Sequence, residues 1–323
     1  MGDMHPTIEL GSTTAPARSF LDWPIVTEPS AWVADVAVIG LPHSEPYAKD
    51  PWPNDQANAP AAIRAMSPQF SDGPDHWDFD IDAPLGAVMP PRRIDCGDVP
   101  WTNGSYDAHA ARVTALIGTL FANGTQVFIL GGDHGVTIPV VDALAALNRP
   151  VHIVHFDAHL DWRADIDGVP RGYSSPLRWA STRPWISGMT QIGLRGTGSA
   201  RREEIEAARA YGSHIFHADA VHAEGLGKAL DSVPEGAAVY VTIDADGLDP
   251  TEMPGVMGPV PGGLYFRQIA PFLRALGRKC RIVGGDIVEI APSFDAVNHI
   301  TCITAGRLVI NLLGASYQGR RMR

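Results

Sequence analysis

Seven short runs of apolar, often β-branched residues recur along the chain, and amphipathic segments separate many of them. The runs cover 35–41, 126–130, 151–156, 190–194, 214–217, 238–243 and 281–288. Several, such as QVFIL and VHIVHF, are apolar at nearly every position. A strand of a parallel sheet needs that pattern, because helices cover both of its faces. Helical periodicity marks 107–123, with Gly124 as its C′ residue, and also 136–147, 199–211, 265–276 and 303–313. Strand–helix alternation of this kind predicts an α/β fold with right-handed crossovers. No linker interrupts it, so 34–323 reads as one catalytic domain. Residues 1–33 read as an irregular arm lying over the core or over a neighbouring subunit. The stretches 42–59, 72–92 and 251–263, rich in Pro, Gly, Asp and Trp, read as pocket walls or lids.

Bulk properties narrow the function classes. A formal net charge of -11 argues against a nucleic-acid partner and against an anionic membrane surface. Cys96, Cys280 and Cys302 are far apart and form no CxxC pair, so neither a disulfide framework nor a thiolate zinc site is indicated. The N-terminal residues lack a basic segment followed by an apolar core, and no uninterrupted apolar run reaches spanning length. The expectation is a soluble, cytoplasmic protein.

Polar residues able to do chemistry stand where the strands end, which is where open α/β sheets bind ligands. QVFIL runs into Gly131-Gly132-Asp133-His134, VHIVHF into Asp157-Ala158-His159-Leu160-Asp161, AVYVTI into Asp244-Ala245-Asp246, and RIVGGDIV into Glu289. Extended backbone has a side-chain period of two, so Asp157, His159 and Asp161 should project together, as should Asp244 and Asp246. A lone Asp-x-Asp would be a turn or a cap. Four carboxylates converging on one small space would instead repel, and burying them unpaired is prohibitive. Two divalent cations supply +4 against the −4 of Asp157, Asp161, Asp244 and Asp246, while His134 and His159 add neutral nitrogen ligands. An oxygen-and-imidazole shell favours Mn, Co, Ni or Fe, and two such ions can bring a water to hydroxide at neutral pH.

GGDH at 131–134, HFDAHLD at 155–161, TIDADGLDP at 242–250 and GGDIVEIAP at 284–292 resemble the ureohydrolases, the arginase and agmatinase family. HFDAH and the PGGL at 261–264 are more similar to the agmatinase branch. The resemblance implies a three-layer α/β/α sandwich on a mostly parallel eight-stranded sheet, the fold shared with deacetylases, and a trimer or hexamer. It implies two Mn or Ni ions held by His134, Asp157, His159, Asp161, Asp244 and Asp246. Attack on a guanidino carbon then releases urea. Asp161 would also hold the attacking hydroxide, and Glu289 would accept N–H groups from a small cationic guanidino substrate. Asp249 and Asp133 would fix loops rather than bind metal.

Three departures set this chain apart from the family pattern. After DAHLD the family carries a His-Gly pair that passes a proton, and Arg171-Gly172 stands in its place here. Arginine cannot act as a base at neutral pH. The stretch NDQANAPAAIR at 54–64 keeps Pro60, Ile63 and Arg64 but lacks the family's glycines, and Gly135 replaces a usual Ser. The expected substrate is therefore a small or substituted guanidine, a guanidino acid or a biguanide rather than arginine. Candidate walls are His43, Tyr47, Trp52, Trp162, Arg171, Tyr173 and His299, with Arg171 as a partner for a substrate carboxylate. His152, His155, His214 and His217 read as structural or supporting. Two alternatives are a one-metal, deacetylase-like amide hydrolase and a low-activity subunit paired with a paralogous chain.

Overall fold

The computed structural model describes residues 10–50, 55–70, 75–101, 105–197 and 200–321. Eight strands form one sheet: β1 (Val36–Gly40), β4 (Arg93–Asp98), β5 (Gln126–Leu130), β6 (Val151–Phe156), β7 (Ile186–Leu194), β8 (His214–His217), β9 (Ala238–Asp244) and β10 (Arg281–Val288). Their order is β4-β1-β5-β10-β9-β6-β7-β8, and every neighbouring pair is parallel. The expected "mostly parallel" sheet is thus wholly parallel. A two-stranded ribbon, β2 (Trp77–Asp78) and β3 (Ala83–Pro84), stands apart.

Successive strand residues feed two separate cores, as the period of two requires. Val239, Val241 and Ile243 of β9 pack on one side, together with α1 (Ala59–Met66), α6 (Ala218–Glu224), α7 (Gly227–Ser232), α8 (Phe266–Lys279) and α9 (Ile300–Arg321). Ala238 and Tyr240 face the other side, with α2 (Tyr106–Ala122), α3 (Thr137–Ala143), α4 (Pro176–Ser181) and α5 (Arg202–Tyr211). The result is a three-layer α/β/α sandwich. Helix α9 is long and apolar enough to cross a membrane, but 78% of that stretch is buried inside the fold. It is a core helix: a Cβ on Gly277 of α8 would sit 2.3 Å from the Ala315 carbonyl, so only glycine allows the two helices this approach.

Within the eight-stranded sheet the strand absent from the predicted runs is β4, whose RIDCGD sequence has no continuous apolar run. Its buried Asp95 is made tolerable by Arg64, 0% exposed, which donates from Nε and Nη2 to the two carboxylate oxygens at 2.8 and 2.9 Å. The amides of Phe20 and Gly97 add 2.8 and 2.9 Å bonds. This edge is also covered. Thr14 and Ile25 of the arm bridge to Asp98 and Asp95, and Phe20 and Trp23 are buried. The described part of the arm therefore closes the chain's own sheet edge.

Strand order does most of the work of building a site. β5, β10, β9 and β6, the four strands that carry the motif blocks, are consecutive neighbours, so their carboxyl ends open side by side.

Candidate metal centre

After β5 the chain turns sharply at Gly131-Gly132. A Cβ on Gly132 would lie 1.7 Å from the His43 carbonyl oxygen, which excludes any other residue. Asp133 then pins the loop. Its carboxylate accepts from the amides of Gly135 at 3.0 Å and Glu45 at 2.8 Å. The loop-supporting role expected for Asp133 is what its contacts describe. His134, the next residue, turns its ring inward.

Asp157 follows β6 directly, but the run to Asp161 is not extended: Asp161 has φ 52°. That left-handed conformation is held by α4, whose first amides, Leu177 and Arg178, donate to the Asp161 carbonyl at 3.2 and 3.1 Å. The carboxylates converge through this turn, not through the period of two alone. Asp244 ends β9, and its Oδ1 accepts from the Asp246 amide at 2.8 Å. Close packing brings this turn against Asp157, because a Cβ on Gly247 would lie 2.8 Å from the Asp157 nitrogen.

The six expected ligand residues form two adjoining groups. His134 Nδ1 faces Asp161 Oδ2 at 2.9 Å, Asp244 Oδ2 at 3.3 Å and Asp157 Oδ2 at 3.4 Å. His159 Nδ1 faces Asp246 Oδ2 at 3.1 Å and Asp157 Oδ1 at 3.4 Å. Asp157 belongs to both groups, one oxygen to each.

The chemistry of this set suits cations. His134 Nε2 lies 2.9 Å from the Thr242 hydroxyl, leaving Nδ1 buried without a hydrogen-bond partner and aimed at three carboxylates. With Nε2 donating, Nδ1 presents a lone pair to negative oxygens, an arrangement that a metal ion between them makes favourable. Burial and then Asp246 and Asp157 push the Asp244 carboxyl well above its usual range. Against burial, His155 and His134 hold Asp157 well below it. The residues fit two divalent ions, with His134, Asp157, Asp161 and Asp244 on one side and His159, Asp157 and Asp246 on the other.

Supporting residues extend outward. His155 Nε2 lies 2.7 Å from Asp157 Oδ2; Gln191 Nε2 donates to His155 Nδ1 at 3.2 Å and to the Leu160 carbonyl at 2.9 Å. Ser213 donates to Gln191 Oε1 at 2.8 Å. This chain fixes the tautomer and orientation of His155. Gln191 escaped the sequence reading, although an amide inside the run TQIGL was a usable signal. Asp249 accepts from the amides of Thr251, Gly262 and Gly263, in keeping with its expected loop-fixing place.

Glu289 follows β10 with φ 65°, a strained conformation for a non-glycine residue. Its Oε1 accepts from the His134 amide at 2.6 Å and its Oε2 from Gln56 Nε2 at 2.9 Å. Burial, followed by the nearby Asp133, pushes its carboxyl up to about 8. Gln56, 1% exposed, lies where the family's glycine pattern is lost and carried no signal of its own.

The expected walls divide. Tyr47 is buried, accepts from the Ser174 amide at 3.1 Å and packs 4.3 Å from the Tyr173 ring; Tyr173 donates to Asp50 at 2.7 Å. Arg171 lines a cavity together with His43 and Asp133. It pairs with Asp107, and its guanidinium lies 4.8 Å from the Tyr106 ring centroid. His43 lines the same cavity; its ring is 4.0 Å from Trp101 and 5.4 Å from His109, burial pushes it down to about 4, and its backbone carbonyl holds the Asp133 amide. Trp162 is core, His152 bonds Thr190, and His214, His217 and His299 are exposed. Trp52 lies outside the described residues.

A family model described as the arginase family matches residues 34–314. The chain belongs to the arginase family. It is 33% identical over 287 residues to proclavaminate amidinohydrolase of Streptomyces clavuligerus, covering 86% of this chain and 87% of that one. The solved structure of that enzyme aligns with TM-score 0.79 and 27% identity over 94% of this chain and 98% of the other. N(1)-aminopropylagmatine ureohydrolase of Thermus thermophilus is 35% identical over 221 residues, 67% of this chain and 71% of its own. The family reading made from the four motif blocks stands, and with it the enzyme class, a hydrolase of carbon–nitrogen bonds in linear amidines.

Proposed function

We propose that this arginase-family enzyme releases urea from a small guanidino compound, using all six ligand residues to hold two Mn or Ni ions. The buried, unpartnered Nδ1 of His134 among three carboxylates carries this reading. Bound there, two divalent ions supply Lewis acidity and a water acidic enough to attack at neutral pH. Glu289 accepts N–H groups of the guanidinium and fixes its plane; each of its oxygens keeps a lone pair beyond those bonded to His134 and Gln56. Asp161, whose Oδ2 is 2.9 Å from His134 Nδ1, would hold the attacking water and take its proton. The water oxygen bonds to the guanidino carbon, the bond to the departing nitrogen breaks, and the proton leaves on the amine or ammonia.

With Arg171 committed to Asp107, small or substituted guanidines and biguanides stand ahead of guanidino acids. We further propose a cytoplasmic homotrimer or homohexamer. The test is urea release by Mn- or Ni-loaded protein across a panel of linear guanidino compounds. Urea from at least one of them supports the reading. No urea from any, or amide cleavage with one tightly held zinc per chain, refutes it.

A further inference from the structure

Arg195 follows β7 and commits its whole guanidinium to main-chain carbonyls. Nη2 donates to the carbonyls of Asp246, Leu248 and Val260 at 2.5, 3.1 and 2.7 Å. Nη1 donates to Gly193 at 3.1 Å and Gly247 at 3.2 Å, and Nε reaches Val260 at 3.1 Å. Its own amide donates to the Ala158 carbonyl at 3.0 Å, between Asp157 and His159. One residue therefore ties together the turn bearing Asp246, the strand end bearing His159 and the irregular loop at Val260.

The Asp246 carbonyl takes its donor from Arg195, while the Gly247 carbonyl also accepts from the Leu264 amide at 3.0 Å. Ala245–Gly247 is a single 3-10 turn, too short to satisfy its own last carbonyls. The loop it is tied to is also a wall of the site: a Cβ on Gly258 would lie 3.8 Å from both Asp246 Oδ2 and His159 Cε1. A flat fork of five N–H donors suits carbonyls arriving from several directions, whereas lysine presents three donors from one atom. The opposite half of the cluster rests on different supports, namely Thr242 beneath His134 and the α4 amides behind Asp161.

We infer that Arg195 is a positioning residue for the His159–Asp246 half of the centre, clamping that half and its wall to the end of β7, so that it governs retention of one of the two metal ions. The inference rests on the two-ion reading above. Its test is Mn(II) binding to metal-free wild type, Arg195→Met and Arg195→Lys by equilibrium dialysis, with electron paramagnetic resonance of each loaded protein. Wild type should bind two ions per chain and show a spin-coupled pair. Arg195→Met should hold one ion normally and the second roughly 10- to 100-fold more weakly, with the signal of an isolated ion. Arg195→Lys should fall between them. Should Arg195→Met fail to fold, the Lys variant decides: weakened second-ion binding supports the inference and unchanged binding overturns it. Two ions bound by Arg195→Met with wild-type affinity would overturn it while leaving the two-ion reading intact. A wild type that binds one ion would overturn both.

Discussion

His134 and His159 stand on opposite sides of one carboxylate, Asp157, yet their surroundings differ. The His134 side chain is 1% exposed and the His159 side chain 26%. His134 is locked by Thr242 on one nitrogen and by Glu289 on its amide, and Asp161 is braced by a helix terminus. His159 and Asp246 instead depend on a short turn and a loop that Arg195 holds from behind. One half is set into the sheet; the other is assembled from its loops. The ion at the loop-built half should be the labile one.

The largest expected effects come from breaking each half separately. Asp161→Ala and Asp246→Ala should each cut urea release by about 10³-fold or more, since several kcal/mol of charge stabilisation depend on the pair of ions. Metal analysis should separate them: Asp246→Ala keeps the inner ion, whereas Asp161→Ala loses tight binding at the inner half. Equal metal loss in both variants would dissolve the contrast.

A smaller effect sharpens the assignment of Glu289. Glu289→Gln retains an acceptor for the His134 amide but removes the charge offered to a guanidinium. KM should rise roughly 10- to 100-fold, the value of a charge-assisted hydrogen bond, with metal content unchanged. A normal KM would remove Glu289 from the substrate site.

The smallest concerns histidines outside the cluster. Burial, then His43, pushes His109 down to about 4, and His43 is lowered alike. Their folded-state values lie below the ordinary 6.5, so the unfolded chain takes up protons first. Their contribution to stability is complete above about pH 6.5 and is lost as pH falls toward 4. Urea denaturation of metal-free protein at pH 7 and pH 5 should show a drop that is about 2 kcal/mol smaller in His109→Gln. An identical drop would place the proton uptake elsewhere.

The same contrast explains what could be read in advance. The clustering of Asp157, Asp161, Asp244 and Asp246 was legible because they follow strand ends that continuous apolar runs mark. β4 was hidden because its buried Asp95 is compensated by Arg64, 31 positions away in sequence. The contacts of Arg171 and His43 with Asp107 and Trp101 were not legible, because loop position alone does not tell which way a side chain turns. Arg195 and Gln56 gave no signal, since their partners are backbone carbonyls and a carboxylate far along the chain.

The most direct test is to add Mn(II) or Ni(II) stepwise to metal-free protein and follow urea release, from a guanidino compound it accepts, against ions bound per chain. Activity should stay low through the first ion and rise to its plateau as the second binds. Full activity at one ion per chain, or activity independent of metal, would contradict a centre built from both halves.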